Sequence, residues 1–184
     1  MLKYFLKNIF KVIIIVFVLF ICACGNNNND DNNKEINPLD YKKDLENVNK
    51  KLNKSEKEDI QAYISRYAWN MNTTGTGLKY LIYYKGNGKK VKKNNIVLIK
   101  FTVNLLNSIV CYSSETDGNK EFILGKSTEI SGLEEGLLLM KEGDKAKLIV
   151  PSHLAYGLLG DNDKIPMRAT LVYDVEVLKV REIK

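Results

Sequence analysis

The fold is decided by the stretch FILGKSTEISGLEEGLLLMKEGDKAKLIVPSHLAYGLLGDNDKIPMRATLVYDVEVLKV, which runs from Phe122 to Val180. At its end, residues 170–180 alternate apolar side chains with the charged Asp174 and Glu176. Because successive side chains of a strand point to opposite faces, this alternation predicts a strand with one buried face. Residues 146–150 follow a Gly-Asp turn and predict a second strand. The stretch therefore predicts part of a β-sheet.

A short helix is predicted ahead of these two strands. Ser131 and Glu134 have the spacing of a capping box, in which the serine caps the helix and the glutamate reaches back to it. The apolar stripe of this helix consists of Leu133, Leu137 and Met140. Upstream, residues 78–84 and 96–106 predict two more strands, and the Gly-Asn-Gly at 86–88 predicts a hairpin turn between them. Strands joined mostly by turns, with one small helix over their concave face, predict an α+β domain built on an antiparallel sheet.

The same stretch resembles the FKBP-type peptidyl-prolyl cis-trans isomerases. Their pattern has a Leu-Gly, a Gly-(Trp or Leu)-Glu-Glu-Gly helix, a Gly-Asp/Glu-Lys turn, a Pro-x-x-Leu-Ala-Tyr-Gly loop, an Ile-Pro and a Leu-Val-(Phe/Tyr)-Asp-Val-Glu strand. All of these occur here in that order. The resemblance implies an FKBP-like domain over residues 77–181, with an antiparallel sheet wrapped around one short α-helix. It also implies an enzyme that isomerises the bond before proline.

The resemblance places a proline pocket on particular residues. It implies that the hydroxyl of Tyr156 donates a hydrogen bond to the bound peptide and that the backbone N–H of Ile130 holds another peptide carbonyl. The residues that it implies for the pocket wall are Phe101, Phe122, Leu133, Ile165 and Tyr173. Taken alone, Phe122 or Tyr173 would be better explained as core filler. All of these residues together, at the spacing found in the family, favour a pocket over core filler.

An apolar pocket suits the chemistry of the X-Pro bond. Amide resonance sets a barrier of about 18–20 kcal/mol to rotation. Twisting the bond removes charge separation between oxygen and nitrogen, so a dry, aromatic-lined site favours the transition state over the planar forms. No covalent intermediate, metal or cofactor is needed, and none is predicted.

Two features depart from the family pattern. Most active members have Phe-Asp-Ser-Ser, in which the aspartate polarises the pocket, whereas this chain has Cys111-Tyr112-Ser113-Ser114. Tyr112 could supply a hydroxyl in place of the lost carboxylate, so it is a candidate catalytic residue. The floor position, often tryptophan, is Leu133, and Lys164 makes the rim more polar. These departures imply lower turnover, weaker affinity for macrolide inhibitors, or a domain kept mainly for binding.

The N-terminal residues resemble the signal of a bacterial lipoprotein. Three lysines precede an apolar run at residues 12–21, which is shorter than the roughly 20 residues that span a bilayer. Ile21-Cys22-Ala23-Cys24 then resembles a lipobox, which implies a signal peptide at residues 1–23 and acylation of Cys24 with diacylglycerol and a fatty acid such as palmitate. A plain membrane anchor in which Cys24 is incidental is the alternative.

Processing at this site would change the charge and the thiol content of the chain. Removing three lysines from the 28 basic residues leaves 25 against 22 acidic ones, a net charge of +3. So mild a charge gives no argument for nucleic-acid binding. Cys111 would be the one remaining thiol beside a single histidine, His153, so no zinc site is predicted.

Between the lipobox and the sheet, the sequence predicts a tether and a helical arm. The Asn-rich GNNNNDDNNKE has almost nothing to bury, and residues 24–54 are interpreted as a tether with a weakly helical linker. Ser55 and Glu58 have capping-box spacing and predict a helix from about Ser55 to Met71, within an arm at residues 55–74. Its apolar residues are Ile60, Ile64, Tyr67 and Met71. The arm would pack on the main domain or pair with a second copy, with a solvated stalk as the alternative.

The combined prediction is a lipid-anchored prolyl isomerase that accelerates folding of exported proteins in a bacterial envelope. Its expected partners are proline-containing polypeptides, a membrane reached through acylated Cys24, and a second copy through the arm; nucleic acid is not expected. Gly25 is compatible with sorting to the outer membrane. The alternative is a low-activity or inactive chaperone or binding module in a motility or secretion assembly. The lipobox, the arm, the TTGTGL junction and CYSS resemble FKBP-type lipoproteins associated with gliding motility.

Overall fold

The computed structural model describes residues 38–183, with side chains from Lys42 onward. The signal peptide, the lipobox with Cys24 and the Asn-rich tether up to residue 37 lie outside the described residues, and they stay predictions. No helix in the described part of the chain is both long enough and apolar enough to cross a membrane.

A long helix precedes a domain made mostly of strands. The elements are α1 (Pro38–Arg66), β1 (Asn72–Thr73), β2 (Lys79–Tyr84), β3 (Asn95–Leu105), β4 (Val110–Ser113), α2 (Ser114–Asp117), β5 (Lys120–Ile123), α3 (Ser131–Leu138), β6 (Lys145–Val150), a 3₁₀ helix (Ser152–Leu154) and β7 (Leu171–Glu182). The strands form one sheet in the order β1-β2-β6-β7-β3-β4, and β5 also pairs with β3. All of these pairs are antiparallel, so the predicted α+β architecture is confirmed.

The longest strand pair lies at the centre of the sheet. Partners in β3 and β7 run from Asn95 opposite Glu182 to Leu105 opposite Leu171. On its other side, β7 pairs with β6 from Lys145 opposite Glu176 to Val150 opposite Leu171. The four strands predicted at residues 78–84, 96–106, 146–150 and 170–180 are therefore present, with ends that differ by one or two residues.

One face of the sheet packs against α3. Leu133 and Leu137 of α3 are fully buried, in the same apolar cluster as Tyr173, Val175 and Val177 of β7. The intervening charged residues of β7 are only half-buried, as the alternation predicts. This cluster is the main core of the domain.

The opposite face of the sheet packs against the C-terminal part of α1. Ile60, Tyr63 and Ile64 form a second buried cluster with Ile149 of β6 and Val172 of β7. These helix residues are spaced by three or four and therefore lie on one side of the helix. Of the alternatives for the arm, packing on the main domain is the one seen for this part of the helix.

The helix bounds predicted for the arm were wrong. The structure has one helix from Pro38 to Arg66, so Ser55 lies inside it and caps nothing, and Glu58 pairs with Lys54 instead. Pro38 suits the first turn of a helix. Between Pro38 and Ser55 the sequence has no glycine and no further proline, so nothing ends the helix before Ser55. After Arg66 the backbone of Ala68 turns to φ +52°. Met71 packs against the second cluster from outside the helix.

The capping box predicted for α3 was also wrong. Ile130 occupies the N-cap position without a side-chain hydrogen bond, and Ser131 is the first helical residue. The Ser131 hydroxyl donates to the carbonyl of Leu154 over 3.2 Å. Glu134 instead accepts from the Ser127 hydroxyl over 2.7 Å and from the Gly125 N–H over 3.0 Å. Both side chains therefore hold neighbouring loops against the helix.

The glycines at 86–88 do not form a hairpin turn, because β2 pairs with β1 and β6 and not with β3. The Gly86 N–H donates to Asp144 Oδ1 over 2.7 Å, and the Gly88 N–H donates to the carbonyl of Glu142 over 3.1 Å. A Cβ at Gly86 would lie 2.3 Å from that carbonyl oxygen. Glycine is therefore needed because two backbone segments touch here.

Replacing Ile60 by alanine should lower the free energy of unfolding by about 2–4 kcal/mol, because it leaves a cavity between α1 and the sheet. The matched control is Ile109→Ala in the turn after β3, where the side chain is 57% exposed. Ile109→Ala should change stability by less than about 0.5 kcal/mol. Urea unfolding measures both, and equal stability of Ile60→Ala and wild type would contradict the packing of α1 on the sheet.

Candidate functional site

The eight residues predicted for the pocket all belong to the main core of the domain or pack against it. The buried members are Phe101, Ile130, Leu133, Ile165 and Tyr173. The half-buried members that pack against them are Tyr112, Phe122 and Tyr156. They come from β3, β4, β5, β7, the start of α3 and the loop between β6 and β7. The buried members are packed inside the core, and the half-buried ones have surface that a ligand can reach.

The start of α3 presents the Ile130 backbone. The Ile130 carbonyl accepts from the N–H groups of Leu133 and Glu134 over 3.1 and 3.2 Å, which closes the first turn of the helix. Within residues 38–183, the N–H of Ile130 donates to no protein acceptor. This is the N–H that the family resemblance assigns to a carbonyl of a bound peptide.

A tight turn presents Tyr156. The carbonyl of Ser152 accepts from the N–H groups of Ala155 and Gly157, the two neighbours of Tyr156, over 3.1 and 2.9 Å. Gly157 has φ +60°, which favours glycine directly after the tyrosine. The backbone N–H groups on both sides of Tyr156 are thus hydrogen-bonded to the same carbonyl oxygen.

The Tyr156 hydroxyl is suited to donate a hydrogen bond. Burial raises the pKa of Tyr156, and the negative charges of Glu129 and Asp161 raise it further. The hydroxyl therefore keeps its proton at neutral pH. Burial also raises the pKa of Tyr173 well above its usual value.

Tyr112 links β4 to the loop that carries Ile165. Its hydroxyl donates to Asp161 Oδ2 over 2.5 Å and lies 3.2 Å from Asp163 Oδ2. Asp161 Oδ1 in turn accepts from the N–H of Ile165 over 2.8 Å. The hydroxyl of Tyr112 is thus held by the loop, a contact that the sequence did not indicate. The assignment of Tyr112 as a catalytic residue stays a prediction.

Asp161 places a carboxylate beside the pocket. Burial opposes its ionisation, but the hydrogen bonds from Tyr112 and from the N–H groups of Asp163 and Ile165 outweigh it. The pKa of Asp161 consequently lies below its usual value. Reasoning from the sequence missed Asp161. The turn-forming run Asp161-Asn162-Asp163 was the available signal, because Asx side chains accept from N–H groups two residues on.

The rim of the site includes exposed apolar and charged side chains. Leu158, Leu159 and Met167, in the loop between β6 and β7, are largely exposed, and Leu159 is 82% exposed. Lys164, predicted to make the rim polar, is exposed, with its Nζ 4.7 Å from the Tyr112 ring centroid. On another side, Lys120 pairs with Glu129 over 2.9 Å. The rim can therefore contact both apolar and polar parts of a polypeptide.

No group of three His, Cys, Asp or Glu side chains in the described residues is arranged to hold a metal ion. His153 is exposed, and its Nε2 lies 3.0 Å from the carbonyl oxygen of Thr76. The described site thus offers hydrogen-bond donors and apolar walls.

Comparison with known proteins tests the resemblance. The model of the family described as FKBP-type peptidyl-prolyl cis-trans isomerase matches residues 87–178, half of the chain. This chain belongs to the FKBP-type family. The family assignment made from the sequence is confirmed. The finer resemblance to lipoproteins of gliding motility has no support from this comparison.

Several FKBP-type proteins are similar to this chain. The probable FKBP-type peptidyl-prolyl cis-trans isomerase FkpA of Neisseria meningitidis is 37% identical over 129 residues, which cover 69% of this chain and 47% of that protein. Human peptidyl-prolyl cis-trans isomerase FKBP2 is 40% identical over 93 residues, covering 50% of this chain and 65% of that protein. The chain thus spans about half the length of the Neisseria relative.

A solved structure agrees with the fold. The crystal structure of FkpA from Escherichia coli matches with a TM-score of 0.61 and 28% identity, covering 80% of this chain and 74% of that one. The match extends beyond the half of the chain that the family model covers. An FKBP-like sheet therefore underlies the site described above.

Replacing Tyr112 by phenylalanine should lower the free energy of unfolding by about 1 kcal/mol at neutral pH, because it removes a hydrogen bond to a partly buried carboxylate. The folded-state pKa of Asp161 is lowered, so this stabilisation is complete above the unfolded pKa of about 3.9 and is lost as pH falls through the folded pKa. Urea unfolding at several pH values measures the difference between variant and wild type.

The matched control for this prediction is Tyr84→Phe, at an exposed tyrosine of β2. It should be as stable as wild type throughout the pH range. A Tyr112→Phe difference that grows toward acid pH would contradict the pairing with ionised Asp161.

Proposed function

We propose that this protein is a peptidyl-prolyl cis-trans isomerase that acts on proline-containing polypeptides. The observation that carries the proposal is that the eight residues predicted for the pocket lie together in or against the main core, and that among residues 38–183 neither the Tyr156 hydroxyl nor the Ile130 N–H donates to a protein acceptor. Membership of the FKBP-type family supports the same reaction. The exposed Leu158 and Leu159 would give an unfolded client apolar contacts next to the pocket.

The mechanism needs only positioning and exclusion of water. The prolyl ring packs against the half-buried aromatic side chains, which keep water from the imide bond, while Leu133, the predicted floor, is fully buried. Tyr156 and the Ile130 N–H hold peptide carbonyls on either side while the bond twists. The twisted bond has less charge separation than the planar forms, so it loses less by leaving water. Uncatalysed rotation takes about 10–100 s, and each 1.36 kcal/mol of selective stabilisation is about tenfold in rate.

Removing the hydroxyl with Tyr156→Phe should lower kcat/KM for an X-Pro peptide about three- to tenfold, the effect of one lost hydrogen bond. Tyr84→Phe, at an exposed tyrosine outside the site, is the matched control and should keep the wild-type rate. The measurement is a protease-free isomerisation assay with the full-length protein. Equal rates for wild type and Tyr156→Phe would reject Tyr156 as the substrate donor.

A second candidate is a binding module that holds proline-containing chains with little or no catalysis, in a motility or secretion assembly. One observation favours this candidate. Tyr112 stands at the position that the pocket aspartate usually holds, and its hydroxyl donates to Asp161. Peptide binding by the wild type without acceleration of isomerisation would select this candidate.

The cellular setting that we propose is lipid anchoring through Cys24 in a bacterial envelope, with export-dependent clients and an outer-membrane location. The lipobox and the Asn-rich tether support this proposal. Several acyl chains, at about 0.8 kcal/mol per buried methylene, would give durable anchoring.

Replacing Cys24 by alanine should abolish incorporation of labelled palmitate and block release of the signal peptide. Cys22→Ala is the matched control, because the lipobox tolerates small residues there, and it should be labelled and cleaved like wild type. Palmitate labelling and mass spectrometry of cells producing each variant measure this. Labelled Cys24→Ala protein would show that the lipid lies elsewhere.

A dimer through the arm is also proposed. Leu45, Val48 and Leu52 are exposed on α1 and are spaced by three and four residues, as in the seam of a coiled coil. A second copy of the helix would cover them. Sedimentation of the full-length protein distinguishes the dimer from a monomer, and a purely monomeric protein at high concentration would reject it.

A further inference from the structure

Glu56 joins α1 to the loop between β6 and β7. From Lys42 to Asp59, Glu56 is the one residue of the helix that is not exposed. Its carboxylate lies 2.7 Å from the Ser152 backbone N and 3.1 Å from the Ser152 hydroxyl, and it accepts from both. It also accepts from the Thr170 hydroxyl over 2.7 Å. One carboxylate therefore takes three hydrogen bonds from two residues.

These hydrogen bonds lie in a protected environment. Ser152 is 6% exposed and Thr170 is 5% exposed. The Ser152 N–H follows Pro151 at the start of a 3₁₀ helix, where it has no acceptor within the helix. Because buried polar groups are costly to leave unpaired, loss of the Glu56 carboxylate would leave three donors to find other partners.

The two residues held by Glu56 are at opposite ends of the same loop. β6 ends at Val150 and β7 begins at Leu171, so Ser152 and Thr170 stand at the two ends of the connection. This loop carries Tyr156, Asp161 and Ile165 of the site. A side chain from outside the loop thus fixes both of its ends.

Glu56 is linked to Tyr156 through a single residue. The carbonyl of Ser152 accepts from the N–H groups of Ala155 and Gly157, on either side of Tyr156. The N–H and hydroxyl of the same Ser152 are held by Glu56. A second contact from the helix to the loop joins Asn53 Oδ1 to the guanidinium of Arg168 over 3.3 Å. Movement of Ser152 would therefore move the backbone that presents Tyr156.

We propose that Glu56 is a positioning residue for prolyl isomerisation, which fixes the loop that presents Tyr156 from the N-terminal helix. The inference rests on the proposed function, because it takes Tyr156 as the donor to substrate. It makes α1 part of the machinery of the site, since a helix displaced from the sheet would withdraw the carboxylate that orders the loop.

The test compares full-length wild type with Glu56→Ala and Glu56→Gln. In Glu56→Ala, the Ala155 and Gly157 amides should exchange with solvent at least about tenfold faster, while amides in the β3–β7 pair keep their protection. The kcat/KM for an X-Pro peptide should fall about threefold, and no further than in Tyr156→Phe, since a misplaced donor costs at most what its removal costs. Glu56→Gln keeps an amide oxygen as an acceptor and should recover part of both losses.

Two control variants separate positioning from stability. Glu58→Ala removes an exposed carboxylate of the same helix and should match wild type in both measurements. Val91→Ala removes packing from the main core at a residue outside both α1 and the loop between β6 and β7, so it should lower stability yet keep kcat/KM per folded molecule. An equal fall of kcat/KM in Val91→Ala and Glu56→Ala would overturn the inference, as would wild-type exchange and rate in Glu56→Ala.

Failure of the proposed function gives a different result. A wild type that accelerates no X-Pro isomerisation would reject the enzyme. Hydrogen exchange then decides whether Glu56 holds the loop. Unchanged exchange at Ala155 and Gly157 in Glu56→Ala overturns the inference, and faster exchange supports the link from helix to loop.

Discussion

Burial of β7 on both faces is the constraint on which the rest of the structure depends. One face packs Tyr173, Val175 and Val177 against α3, and the other packs Val172 against α1. Both helices are therefore fixed relative to the same strand. Because β6 and β7 are neighbours in the sheet, the loop between them starts and ends at one edge of the core. The residues predicted for the pocket include members of this loop and of the start of α3, so their placement follows from how β7 is packed.

Much of the fold could be predicted from local patterns. The alternation around Asp174 and Glu176 indicated the buried face of β7, because a strand has a period of two residues. The helical errors share a physical cause. Ser55 and Glu58 have the spacing of a capping box, but that spacing also occurs inside a helix when nothing upstream ends it. Ser131 and Glu134 showed the same ambiguity, because both side chains found partners in adjacent loops.

The site was predictable only in part. Its apolar members were placed by family resemblance, and the structure gathers them in one cluster. Of the polar residues that hold the site, Tyr112 was named without its partner, and Asp161, Glu56 and Ser152 were missed. Tyr112 and Asp161 are 49 residues apart, and Glu56 and Ser152 are 96 apart. Glu56 is a charged residue on an otherwise exposed helix, and its sequence context does not indicate a partner so far along the chain. Hydrogen bonds between distant segments depend on tertiary packing and not on local spacing.

The position of β7 also governs how the domain can be made. This strand follows all the other described strands in the chain, yet it lies between β6 and β3 in the sheet. Non-local pairing of this kind slows folding, because distant segments must meet before the core can close. A nascent chain cannot complete the sheet until residues 171–182 have left the ribosome. Until then its apolar surfaces stay exposed to other polypeptides and to chaperones.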